Sequence, residues 1–444
     1  MKIIRDFQAA RAVLRRSPFE LGEVPPQIKQ GIIGIFGEEL TPEEAVARII
    51  AEVRERGDAA LFEYTRRIDG VALKSLEVSK EEIDKAYKKV SKELIPVLEI
   101  AAERVRSFHL TQMRHGFKEF MEGGTGQILR PLERVGIYVP GGTACYPSTV
   151  LMTAIPAKVA GVKEVILVTP PRRGGAIPPP TLVAADIAQV DLVFRVGGAQ
   201  AIAALAFGTE SIPKVDKICG PGNIFVILAK RMVFGVVDID GLPGPTETVI
   251  LADDSADAAL CAADLLAQAE HDVLATAFLI TTSSRLADEV NSEVERQLAK
   301  LERAGIARES VERRGKIIVV ANITQAVDLV NLYAPEHLSL MVRTPSSYMR
   351  RMRNAGAIFI GESSPETLGD YVAGPSHVIP TEGTARFRSP LGVSDFLKFT
   401  SVISLSDEDL KALGPAAATI ARAEGLTAHA RAVEARLKKK SREG

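Results

Sequence analysis

The sequence predicts an α/β protein built on two doubly wound, parallel sheets. Three observations carry this expectation. Short β-branched runs alternate with Ala/Leu/Ile-rich stretches of helical length through the middle of the chain. Most of these runs end in glycine or proline. The 444 residues, at roughly 100–200 per domain, leave room for about two to four domains.

In chain order, Thr41–Ile68 and Lys80–Met113 read as helices. The runs Val135–Val139, Glu164–Val168, Asp191–Val196 and Lys217–Cys219 then read as strands. Pro147–Ala160, Thr181–Ala188, Ala199–Phe207 and Asn223–Val233 are the helices among them. Pro140-Gly141-Gly142, Pro170-Pro171, Gly197-Gly198 and Gly220-Pro221-Gly222 close the strands at their carboxyl ends, where parallel sheets receive ligands. A second alternation begins with helix Ala256–Glu270, strand Thr276–Thr282, helix Arg285–Ala304 and strand Lys316–Val320. A short helix near Thr324–Leu332 and strand Ala357–Ile360 complete it.

The organisation expected is a helical N-terminal extension over 1–28 and a larger α/β domain in two pieces, 29–133 and 248–388. A Rossmann-like domain over 134–247 is inserted in the larger one. The helical, Ala/Arg-rich tail over 389–444 is too short for its own core. It should dock on a partner subunit.

Charge excludes some functions. Lys plus Arg is 55 and Asp plus Glu is 56, a formal net charge of −1, whereas a nucleic-acid or anionic-membrane binder needs a basic surplus. No apolar run reaches the ~18–20 residues of a membrane span. The longest, Asn223–Val237, carries Lys230 and Arg231. Arg5 and Asp6 stand where a signal peptide would be apolar. Three scattered cysteines fit a reducing compartment, and the expected location is the cytoplasm.

Six histidines allow a position-by-position reading. His109 and His115 lie in a charged helical stretch without a partner motif and read as surface or packing residues. Gln268 and His271 share a helix face at i, i+3 and could share a cation. Glu336-His337 follows a proline ahead of an apolar strand. Asp370 and His377 bracket a glycine-punctuated loop, a common place for function. His429 sits in the tail, five residues after Glu424. A mixed imidazole, carboxylate and amide set suits zinc or another first-row ion, although HExxH and paired CxxC signatures are absent. There is no G-x-G-x-x-G after a strand and no Walker A sequence. Gly197-Gly198-Ala199-Gln200 and Gly220-Pro221-Gly222-Asn223 each lead from strand to helix, where backbone N–H groups could receive a pyrophosphate or simply turn the chain. Cys145 reads as a packing residue rather than a nucleophile.

Taken together, Glu133–Gly142, Val196–Gly208, Gly220-Pro-Gly-Asn223, Gln268-Ala-Glu-His271, Ala334–Leu338, Gly374-Pro-Ser-His377 and Gly383–Phe387 resemble the histidinol dehydrogenase family, in order and across nearly the whole chain. The resemblance implies a zinc-dependent, NAD-linked oxidation of L-histidinol to L-histidine through the aldehyde, with two hydride transfers. It implies one zinc per subunit on Gln268, His271, Asp370 and His429, the last from the other subunit of a homodimer. Glu336 and His337 would be the acid–base pair. Thr246, His377 and Glu424 would contact substrate together with His337 and the zinc residues; Tyr138, Gln200 and Asn223 would contact NAD. Gly244-Pro245-Thr246-Glu247 departs from the family's frequent Gly-Pro-Ser-Glu but keeps the hydroxyl. Chemically, an imidazole suits the hydroxyl proton, and a carboxylate could activate the water needed for the second oxidation. A related zinc dehydrogenase for another small alcohol would alter the substrate residues, whereas His377 and Glu424 are both present. A non-catalytic binding protein would show gaps in the set, and there are none.

Overall fold

A computed structural model of the chain describes residues 1–16, 25–141 and 145–443, with side chains to Lys439. Gly142 of the first glycine turn lies outside the described residues. By its contacts the chain divides into one unit of Met1–Met113 and Leu132–Phe396, and another of Arg114–Pro131 and Leu397–Gly444.

The first unit holds two parallel sheets. The larger has six strands in the order Lys2–Ile4, Lys316–Val319, Thr276–Thr281, Glu247–Ala252, His337–Met341 and Ala357–Ile360. Alternate residues feed opposite cores, as strand geometry requires. Val249, Leu251, Phe278, Ile280 and Ile318 pack with helix Ile323–Tyr333. Ile250, Ala252, Ala277, Leu279 and Ile317 pack with helices Ala258–Ala269 and Ser284–Leu298. The smaller sheet runs Leu192–Phe194, Glu164–Val168, Arg134–Tyr138, Lys217–Cys219 and Asp238–Ile239. Strands covered on both sides must be apolar throughout, which is why these segments read as continuous runs.

The sequence-level elements recur with shifts of a few residues and five informative differences. Lys80–Met113 divides into two helices, Lys80–Tyr87 and Leu94–Gly116. Thr41–Ile68 is two helices, Pro42–Arg56 and Asp58–Ile68, broken at Gly57, where φ is +53°. Their residues Val46, Ile49, Val53, Leu61 and Tyr64 join the core of the smaller sheet. Arg285–Ala304 ends early at Leu298, and a separate helix, Ala304–Arg313, buries Ala307 and Val311. Lys2–Ile4, inside a stretch expected to be helical, pairs in parallel with Lys316–Ile318 as an edge strand.

The second unit is a three-stranded antiparallel sheet, Leu397–Ile403, Thr125–Pro131 and Phe120–Glu122, with a helical hairpin. Gly123 and Gly124 both have positive φ, 54° and 74°, the geometry of a two-residue hairpin turn. The tail thus opens with a strand before helices Asp407–Ala423 and Thr427–Glu443.

Candidate active site

Both parallel sheets reverse strand order near their centres. In the smaller sheet the reversal lies between Arg134–Tyr138 and Lys217–Cys219, and the motif residues gather at its carboxyl edge. In the larger sheet it lies between Glu247–Ala252 and His337–Met341. There the chemistry sits at the amino edge, opposite to the usual placement. Thr246 and Glu336 immediately precede the two strands, and Glu247 and His337 begin them.

Glu336 and His337 are both buried. The Glu336 Oε2 atom accepts from Thr246 Oγ1 at 2.6 Å and from the Glu247 N–H at 2.8 Å. His337 Nδ1 lies 3.2 Å from the Glu247 carbonyl, 3.3 Å from Gln268 Nε2 and 3.5 Å from Glu336 Oε2. Its Nε2 lies 3.6 Å from Asp370 Oδ1 and has no hydrogen-bond partner. Burial opposes charge on this ring, but the carboxylates of Glu336, Asp370 and Glu366 outweigh it and hold the imidazole well above its ordinary range.

Gln268 is buried near the end of helix Ala258–Ala269 and donates its amide N–H to Thr246 Oγ1. The amide nitrogen is thus turned toward Thr246. His271 follows on the exposed rim. Asp370, on helix Glu366–Tyr371, is held below the carboxylate range: burial pushes it up, and His337, His377 and His271 pull it down further. His377 Nδ1 is 2.8 Å from the Asp370 carbonyl, and its Nε2 is 3.2 Å from Thr149 Oγ1. Burial lowers the pKa of His377. The structure therefore gathers Thr246, Gln268, Glu336, His337, Asp370 and His377 in the first unit. Glu424 and His429 stand exposed on the second. Among the described residues no three His, Cys, Asp or Glu side chains form a cage for a metal.

At the carboxyl edge of the smaller sheet, buried Tyr138 accepts the Gly198 N–H at 3.2 Å through its hydroxyl, whose pKa burial raises to about 12. Gln200 is fully buried, and both polar atoms of its amide lack a partner. It lines a cavity of about 80 Å³ with Ile32, Phe36, Asn223 and Phe225. Asn223 caps helix Ile224–Val233, its Oδ1 accepting the Phe225 and Val226 N–H groups at 3.1 and 3.3 Å. Gly220 has φ +113°, and a Cβ there would collide with the Tyr138 carbonyl.

Sequence reasoning missed two supports of these sites. Lys230 and Asp240 form a buried ion pair that also binds the Gly220 carbonyl and N–H. The signal was a lysine inside an apolar run. Buried Glu366 accepts from Thr248 Oγ1 and, at 3.0 Å, from Ser339 Oγ. Burial raises its pKa to about 7. It lies one helical turn before Asp370, a spacing that does point at the site. Cys219 and Cys261 are not nucleophiles in waiting: burial raises Cys219 well above its ordinary range and Cys261 to about 12. Buried His109 bonds the Val105 carbonyl at 2.8 Å, as a packing residue does.

The chain is similar to known proteins along nearly its whole length. Residues 38–437 match the family model for histidinol dehydrogenase. The chain is 54% identical over 442 residues to the histidinol dehydrogenase of Dehalococcoides mccartyi strain CBDB1, covering 98% of this chain and 100% of the relative. It is 52% identical to that of Deinococcus radiodurans, covering 97% and 98%. The crystal structure of histidinol dehydrogenase from Elizabethkingia anophelis superposes with a TM-score of 0.90 at 34% identity, over 99% of this chain and 98% of that one. With the whole chain matched in sequence and fold, it belongs to the histidinol dehydrogenase family of oxidoreductases.

Proposed function

We propose that the protein oxidises L-histidinol to L-histidine in two steps, using NAD as hydride acceptor and a bound zinc ion, and that two subunits of a homodimer share each site. The observation that carries this reading is the Glu336–His337 pair on the amino edge of the larger sheet, beside Gln268 and Asp370.

The residues suit both groups. For the metal there is an amide oxygen, an imidazole and a carboxylate held in its charged form, a donor set that zinc accepts. Gln268, His271 and Asp370 would hold it, with His429 from the partner chain. When bound, zinc supplies positive charge that favours neutral imidazole at His337 and an anchor for the nitrogens of the substrate. For the dinucleotide, Gln200 offers an unpartnered buried amide in a cavity between two helix N-termini, with Tyr138 and Asn223 nearby.

His337 accepts the hydroxyl proton as the carbinol hydride leaves for the nicotinamide. Glu336, fixed by Thr246 and the Glu247 amide, takes a proton from the water that adds to the aldehyde, while His337 gives its proton to the carbonyl oxygen and becomes neutral again. His337 then accepts a proton from the resulting diol as the second hydride departs. Thr246, His377 and Glu424 orient the amine and imidazole of the substrate. A soluble, intracellular dimer follows from this reading.

The test is NADH formation on adding L-histidinol, with and without a chelator. Two NADH per histidinol, lost on chelation and restored by zinc, is the expected result. One NADH per alcohol, or equal rates with an unrelated small alcohol, would assign the chain a different substrate.

A further inference from the structure

Arg16 lies outside every motif above, two residues beyond helix Phe7–Leu14 and 231 residues from its main partner. Its guanidinium donates two parallel hydrogen bonds to the Glu247 carboxylate, at 2.5 and 2.6 Å. Its Nε donates to the Tyr333 carbonyl at 2.8 Å, and its plane lies over the Tyr333 ring, 3.9 Å from the centroid. Three of its nitrogens and one face of the group are thus engaged, and Arg16 and Glu247 keep only 22% and 5% of their side-chain exposure. A bidentate pair of this kind fixes orientation as well as distance.

What Glu247 holds gives that fixation a purpose. Its N–H donates to Glu336 and its carbonyl faces His337 Nδ1. One residue's main chain therefore sets both members of the acid–base pair. Its side chain is gripped by Arg16. We propose that Arg16 is a positioning residue for the oxidation. By clamping the Glu247 side chain it fixes the peptide groups from which Glu336 and His337 take their places. The inference rests on the reading of Glu336 and His337 as the reacting pair.

The experiment compares the zinc-loaded full chain with R16K, E247Q and the double variant. R16K keeps the charge and loses the fork; E247Q keeps the volume, and it carries the test if R16K fails to fold. Three quantities are read: kcat and KM for L-histidinol, the melting temperature, and the His337 signal in isotope-labelled histidine NMR, assigned with H337N. We expect each single variant to lose about tenfold or more in kcat, with KM within about threefold, and to move the His337 signal. The double variant should lose no more than the worse single one, because both changes break one contact. Unchanged kcat with the His337 signal in place, or a lower melting temperature alone, would overturn the clamp while histidinol oxidation by the parent still stood. If the parent forms no NADH from histidinol yet R16K moves the His337 signal, the substrate reading fails and the clamp survives.

Discussion

His337 combines burial, three neighbouring carboxylates and a ring nitrogen without a partner. An imidazole so placed is suited to accepting and releasing protons. H337N should therefore cut turnover by about 10²–10⁴-fold, the usual worth of a general base. Zinc content by elemental analysis should stay near the parent's, and its loss would recast His337 as a ligand. Asp69 has a different burden. It ends helix Asp58–Ile68, Oδ2 is buried without a partner, and burial raises its pKa to about 6. The folded value lies above the unfolded one of about 3.9. The fold thus favours the protonated carboxyl, and stability falls as pH rises between those values, then levels off. D69N removes that loss. Its advantage in denaturant midpoint should grow from pH 5 to pH 7 and correspond to about 1–3 kcal/mol at the plateau. A constant gap across that range would exclude Asp69 as the source.

Gly57 shows why element boundaries escaped the sequence. The apolar spacing of Thr41–Ile68 runs on through it, and one glycine does not announce a break. The tertiary reason is Glu210, whose carboxylate accepts the Asp58 N–H at 2.7 Å and occupies the space a Cβ would need. G57A should cost more than about 1 kcal/mol, from the positive φ together with this collision. A chemical denaturation curve overlying the parent's would contradict it. Strands buried on both sides were legible because their composition is nearly uniform, and the helix starts because their caps are local. The edge strand Lys2–Ile4 was not, since it is defined by a partner over 300 residues away. The same division holds at the site. Gln268, Glu336, His337, Asp370 and His377 could be named because their chemistry is local to a motif. Arg16, Lys230 and Glu366 act through contacts that only the fold creates.

At the scale of the whole molecule, Glu424 and His429 belong to a unit other than the one that carries Glu336 and His337. Under the proposed sharing of sites between subunits, D370N and H429N should each be nearly inactive alone. Coexpressed, they form mixed dimers in which one site carries both changes and the other neither. Recovery to about a quarter of the parent rate is then expected from random pairing. No recovery in the NADH assay would place each site within one chain.

The candidate acid–base pair hangs where the polypeptide enters its strands, so the connections at the exit edge of that sheet hold none of the candidate site residues described above. Arg343 and Thr344 are exposed there, just past His337–Met341. A short affinity tag grafted between them should leave catalysis intact, offering a handle for immobilisation that neither terminus provides as safely. Loss of NADH formation in the grafted protein would show that this edge is in use after all.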